Sequence, residues 1–173
     1  MAKTRKDEFS QIGYIQVVES GANTLTFNGL SVFSNILEPK GLVIHQIEYD
    51  LDENQRNLVI ANADSIVYGL TGADDLTAIS LDDAQVYDMG RIMGYTIATA
   101  AGTSWEDRFS PFIRDFTDLP GGGRLVPADR IYGFVLGGSL AGPVTLNVRF
   151  HFTIMDLTAQ QYLELAQALR VLT

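Results

Sequence analysis

Two histidines, His45 and His151, and a few adjacent acids are the side chains whose types could support bond-making chemistry. His45 falls on the apolar side of an alternating run, with Val43, Ile47, Tyr49 and Leu51. A buried, hydrogen-bonded histidine is the usual occupant of such a face, because a site needs several convergent groups. His151 alternates with Asn147 and Arg149, so solvent or an interface is its expected environment. A metal on such strands would need clustered imidazoles and a carboxylate, and two isolated histidines supply no such set.

The acids divide in the same way. Asp74-Asp75, Asp82-Asp83 and Glu106-Asp107 are adjacent, whereas acid–base or glycosidase chemistry needs two carboxyls facing one cleft with separated pKa values. Strand neighbours point to opposite faces, and acids in Gly-rich turns solvate the loop. Asp50-Leu51-Asp52-Glu53-Asn54 places oxygens at positions one, three and five of a calcium loop, but Gln55 and Ala61 stand where glycine and glutamate are required. A weaker calcium site completed by a neighbouring subunit stays open. Gly137 to Gly142 has the glycine spacing of a phosphate loop, yet Pro143-Val144 and a strand follow it. Without a Gly-x-Ser-x-Gly elbow or any cysteine, neither a serine nor a thiolate nucleophile has an anchor. The expectation is a protein that is not an enzyme, with no cofactor, metal or small-molecule substrate. Trp105 serves equally as an interface or sugar-stacking residue and as a cap on one end of a sandwich.

The elements that must carry these residues are strands. Val144 to Ile154 alternates without a break, every even position apolar and every odd one polar, which is a strand with one buried face. Weaker versions lie at Ile12–Val18, Thr24–Leu30, Lys40–Leu51, Ser65–Thr71, Leu76–Ser80, Arg91–Thr99, Phe109–Phe116 and Arg130–Leu136. Turn formers part them at 20–23, 71–75, 119–123 and 137–143. Asp82 to Met89 reads as a short helix. Eight or nine strands with almost no helical period predict an all-β sandwich or barrel.

The C-terminus alone is helical. Thr158 and Gln161 have capping-box spacing, Leu157 can staple against Tyr162, and Tyr162, Leu165, Ala166, Leu169 and Leu172 form one apolar stripe. The chain thus divides into a mobile basic arm (1–10), a sandwich (11–157) and an amphipathic helix (158–173) packed on the sandwich or on a neighbour.

At 173 residues the chain fits one domain able to bury about 70% of its unfolded surface. Apolar residues make up 46% and charged ones only 19%, so part of the surface is expected to meet other protein. A net charge of −9 argues against a coat for nucleic acid, whose phosphates are bound by Lys and Arg. Lys3, Arg5 and Lys6 crowd the arm, and Lys40 is the only other lysine. Asp7-Glu8 follow these basic residues in place of an apolar signal core, and no run of apolar residues reaches membrane-spanning length.

In Asn23-Thr-Leu-Thr-Phe, Leu42-Val-Ile-His-Gln-Ile-Glu-Tyr, Asp129-Arg-Ile-Tyr-Gly-Phe-Val-Leu, Val144-Thr-Leu-Asn-Val-Arg-Phe-His-Phe and Leu157-Thr-Ala-Gln-Gln-Tyr-Leu-Glu-Leu, the chain resembles the single jelly-roll capsid proteins of icosahedral viruses. Its size is similar to that of the small major capsid protein of tailless, membrane-containing bacteriophages. The resemblance implies an eight-to-nine-stranded jelly roll that self-assembles, or co-assembles with a second capsid protein, made in the host cytoplasm and resident in the virion. Its function would reside in contacts at Lys3, Arg5, Lys6, Trp105, the Gly121 to Arg124 loop, Tyr162, Leu165 and Leu169. The arm would contact genome or membrane only weakly, and its shortness favours a DNA phage over an RNA virus. Two other readings compete: a carbohydrate-binding jelly roll stacking sugars on Trp105, and, last, an enzyme using Glu106, Asp107 or Asp118.

Overall fold

The computed structural model describes residues 10–31, 39–52, 64–93, 97–99, 102–104, 112–126 and 130–170. Strand β1 (Gln11–Val18) buries Gly13, Ile15 and Val17 and exposes Ile12, Tyr14, Gln16 and Val18, the period of two that its sequence carries. After it come β2 (Thr26–Ser31), β3 (Lys40–Leu51), β4 (Ser65–Thr71) and β5 (Val86–Met93). A small hairpin of β6 (Ile97–Thr99) and β7 (Gly102–Ser104) leads to β8 (Phe112–Asp115) and β9 (Arg124–Val126). The long strands β10 (Arg130–Gly138) and β11 (Thr145–Asp156) precede helix α1 (Ala159–Arg170).

Pairing is nested. β1 pairs β11, β2 pairs β10, β3 pairs both β8 and β9, and β4 pairs β5, all antiparallel. One sheet therefore runs β1-β11-β3-β8, with β9 also on β3, and the other runs β2-β10-β4-β5. First strand against last, second against next-to-last, is one long hairpin rolled upon itself, which is the jelly roll. The two inner faces supply the core: Ile15, Val17, Leu42, Ile44, Ile47, Tyr49, Leu146, Val148 and Phe150 from one sheet meet Ile66, Tyr68, Leu70, Ile131 and Val135 from the other. Gly133 lets the sheets approach, since a Cβ there would sit 3.0 Å from Val17 and 3.3 Å from Ile15.

Two sequence expectations fail between β4 and β5. Leu76–Ser80 is not a strand, and Asp82–Met89 is a turn followed by the start of β5 rather than a helix. Strands β4 and β5 are direct neighbours, so the segment between them closes as a loop. Gly72 donates to Gln85 O at 2.9 Å and Thr71 Oγ1 to the same carbonyl at 2.9 Å. Asp83 accepts from Gln85 N at 2.9 Å, an Asx turn in place of a helix cap. Val86 and Tyr87 are then buried as strand residues.

A bulge corrects the face of His45. Ile44 pairs Phe152 while Gln46 pairs His151, so His45 has no partner across β11. The extra residue shifts the phase. Leu42 and Ile44 face the core before it, Ile47, Tyr49 and Leu51 after it, and Val43 and His45 turn to the other side. There His45 is satisfied at both nitrogens: Nδ1 donates to Gly122 O at 2.6 Å and Nε2 lies 3.0 Å from Thr153 Oγ1. The hydrogen-bonded histidine is therefore present, but half-buried and on a different face.

Candidate functional site

The outer face of the β1-β11-β3-β8 sheet gathers the polar residues that the alternation singled out. Register sets them in rows. Ile12, His151, Gln46 and Asp115 form one; Tyr14, Arg149, Glu48 and Ile113 the next; Gln16, Asn147 and Asp50 the third. Cross-strand neighbours on one face stand close enough to interact, and here they do. Arg149 Nε donates to Glu48 Oε2 at 2.8 Å, with its Nη2 on the same oxygen. His151 Nε2 lies 3.7 Å from Glu48 Oε1. Tyr14 and Gln16 both donate to Asn147 Oδ1, at 2.7 and 3.0 Å.

These groups rim an open depression of about 260 Å³ lined by Tyr14, Glu48, Asp50, Asn147 and Arg149. The polar atoms of Tyr14 and Asn147, and of Glu48 and Arg149, are turned on one another. A general base or nucleophile would need a partner that activates it toward substrate, and this arrangement instead ties three strands together laterally. Among the described residues no group of three or more His, Asp or Glu is placed to hold a metal ion.

A second titratable cluster centres on the buried Tyr49. Tyr49 donates to Asp88 Oδ2 at 2.9 Å, and Arg114 Nε lies 3.7 Å from the same oxygen. Burial, reinforced by the Asp88 carboxylate, holds the Tyr49 phenol well above its ordinary range. Burial likewise pushes Tyr68 up to about 12, opposed by Arg114 and helped by Asp88. Tyr68 meets Tyr49 edge-on at 5.0 Å and Phe112 at 5.7 Å. These are neutral, packed phenols. Asp115 is shifted the other way, its carboxyl held below the usual range by the Thr117 hydroxyl and backbone N–H.

Glu19 was not singled out from sequence, and it is a heavily used carboxylate. It is 3% exposed and accepts from Thr24 N at 2.9 Å, Gly137 N at 2.7 Å and Val144 N at 3.0 Å. Asn23, in the left-handed region at φ 62°, adds a two-way clamp on Leu140 through its amide. Together they tie the 19–25 connection to the Gly137–Gly142 loop. A carboxylate occupies the N–H groups at Gly137 and Val144, so this loop is not a phosphate cradle. A signal existed: Glu19 continues the odd-numbered inward parity of Ile15 and Val17.

Only some of the sequence-nominated contact residues fall in the described set. Lys3, Arg5, Lys6 and Trp105 lie outside the described residues, as do Glu106 and Asp107. Arg124 acts within the subunit, its guanidinium on the Tyr87 carbonyl. Gly121 and Gly122 form a turn at φ 93° and 73°, a conformation that suits glycine. Asp118, Asp74, Asp75 and Asp82 are exposed in turns and face no common cleft. On α1 the capping box forms, with Thr158 N to Gln161 Oε1 at 3.0 Å and Gln161 N to Thr158 Oγ1 at 3.2 Å. Leu157 packs over Gly41, Tyr162 and Leu165 are half-buried, and Leu163 is exposed. Leu169 lies in the helix, its side chain outside the described set. Among the described residues α1 makes no broad contact with either sheet, and no helix is long and apolar enough to cross a membrane.

Neither the protein-family models nor the curated proteins contain a match to this chain. Among the described residues, half of the exposed large apolar side chains lie at the two edges of one sheet, Ile12, Tyr14 and Val18 on β1 and Phe112 and Ile113 on β8, while Leu81, Met93, Leu119, Leu125 and Leu163 are scattered elsewhere. Between these flanks lies the paired polar mosaic.

Proposed function

We propose that this chain is a structural subunit that assembles, with copies of itself or with a second capsid protein, into a closed icosahedral viral shell. The observation that carries the proposal is the placement of exposed apolar residues on opposite flanks of one sheet, Ile12, Tyr14 and Val18 on β1 and Phe112 and Ile113 on β8. Exposed apolar residues grouped at strand edges mark contact with other protein. A rigid two-sheet brick with two such flanks can touch a neighbour on either side, and rotational symmetry closes such contacts into rings. Each contact can be weak, because a closed assembly repeats it. The mutually paired polar groups of the outer face suit a wall rather than a reaction site. The jelly-roll resemblance supplies the viral setting, and the virion is then where the protein resides.

The test is direct. Concentrated full-length protein, alone and mixed with structural proteins from its source, is examined by light scattering and electron microscopy. Closed particles or symmetric rings are expected. A strict monomer at millimolar concentration, with no companion in its source, overturns the proposal.

A further inference from the structure

The β1 edge has properties that name its partner. Among the described residues β1 pairs with β11 on one side only. The Gln16 carbonyl accepts from Asn28 Nδ2 at 2.7 Å, so it points away from β11. Strand residues send N–H and C=O to the same side and alternate sides along the chain, so Ile12 and Tyr14 also turn their backbone groups outward. Their side chains are among the most exposed apolar ones, at 63% and 55%. Edges are ordinarily protected by charge or proline. β5 carries Asp88 and Arg91 and β8 carries Arg114 and Asp115, whereas Gln11 to Val18, like the shorter edge strand β2, contains neither a charge nor a proline.

We infer that two copies of this chain join edge to edge along the first half of β1, antiparallel about a two-fold axis at Gly13. The register follows from chemistry. Centred on Gly13, Ile12 of each copy opposes Tyr14 of the other, an aromatic to β-branched pair made twice, and each pair exchanges both backbone hydrogen bonds. A centre at Tyr14 would set Ile12 against Gln16, whose carbonyl Asn28 already occupies, and a centre at Ile12 would set Tyr14 against Ser10; the Gly13 centre puts only Ser10, outside the strand, opposite Gln16. On the axis Gly13 adds no side chain, and the Phe150 ring fills the place where its Cβ would be. Two bodies of net charge −9 repel across most of their surface and meet at least cost along an uncharged strand. The inference deepens the shell reading, and rests on it, by giving one of the two flanks a second copy of this chain as its partner.

The chain has no cysteine, so introduced thiols report without background. Across the proposed axis the Cα atoms of residues 12 and 14 stand about 5.5 Å apart, within disulfide reach, while residue 12 lies about 9 Å from its own counterpart. An oxidised mixture of full-length Ile12→Cys and Tyr14→Cys is expected to give a covalent dimer, and each variant alone several-fold less. Ile12→Pro removes an outward donor that β11 does not use; it is expected to weaken dimerisation at least tenfold while shifting the unfolding midpoint little. Equal cross-linking in the single variants, or none in the mixture while the protein still associates, overturns this pairing and leaves the shell reading standing. Loss of association in Ile12→Pro without cross-linking in the mixture assigns the edge to another segment and also overturns it. A monomer under every condition overturns both.

Discussion

Glu19 shows how much of a β-sandwich can depend on one side chain. Its carboxylate accepts three backbone N–H groups from three separate segments at one end of the barrel. Replacement by alanine leaves buried donors unpaired, each costing about 1–3 kcal/mol. Glu19→Ala is therefore expected to lose about 3 kcal/mol or more in urea unfolding. Glu19→Gln should lose roughly half of that, because one amide oxygen still accepts while the NH₂ group opposes a donor. A loss below about 1 kcal/mol in the alanine variant would mean that water replaces the carboxylate. The buried phenols set a second expectation at this scale. Tyr68 titrates near 10 when unfolded and at about 12 when folded. Above pH 10 the unfolded chain has lost a proton that the folded one keeps, so stability present below pH 10 falls between pH 10 and about 12. Tyr49, raised in the same direction, adds to the fall. Unfolding midpoints across that window should decline, and Tyr68→Phe should make the decline shallower.

Among the elements, the bulge at His45 decides how the β3 edge is used. β8 pairs residues 46–49 and β9 pairs residues 42–44, and the excursion at 116–123 leaves the sheet where His45 interrupts the ladder. Phe116 N donates to the His45 carbonyl at 2.8 Å and the imidazole holds Gly122 O, so one residue anchors both ends of the excursion. His45→Ala is expected to cost about 1–3 kcal/mol and to make the 117–123 turn cleavable by limited proteolysis, whereas Thr153→Val, which removes only the Nε2 partner, should do less. An uncut turn in His45→Ala would assign its order to the Gly121-Gly122 geometry alone. The bulge was not legible in sequence, because an inserted residue changes phase without changing composition. The bounds of β3 and β4 were legible, since polar turn formers flank strong apolar runs. β9 has three residues, too few to show a period, and Asp82-Asp83-Ala84-Gln85 mimics a helix start while serving as a turn. The polar face of β11 was readable from alternation, but its partner Glu48 was not, since register between distant strands is not written locally. Arg124, nominated as a contact, is bound to Tyr87 within its own subunit.

For the molecule as a whole, association must overcome like charge. Each body carries −9, so two copies brought together repel over any separation shorter than the screening length. That length is about 30 Å at 0.01 M salt and about 3 Å at 1 M. The apolar contacts on the β1 and β8 flanks do not weaken with salt and are strengthened by excluded salts such as sulfate. If those flanks hold the assembly, raising the salt from about 0.05 to 0.5 M should shift it toward larger species, with sulfate more effective than chloride at equal ionic strength. Sedimentation velocity at fixed protein concentration reads this directly. The opposite trend would identify a different adhesive. Association that dissolves as salt rises is held by ion pairs, and Lys3, Arg5 and Lys6 against the acidic body of a neighbour would be the pairs to suspect. The double replacement Ile12→Lys with Ile113→Lys separates the two cases, since it lowers the magnitude of the net charge while spoiling both apolar flanks. A shell built on the flanks loses assembly in that variant despite weaker repulsion, and one built on charge keeps its apolar contacts idle and changes only with salt.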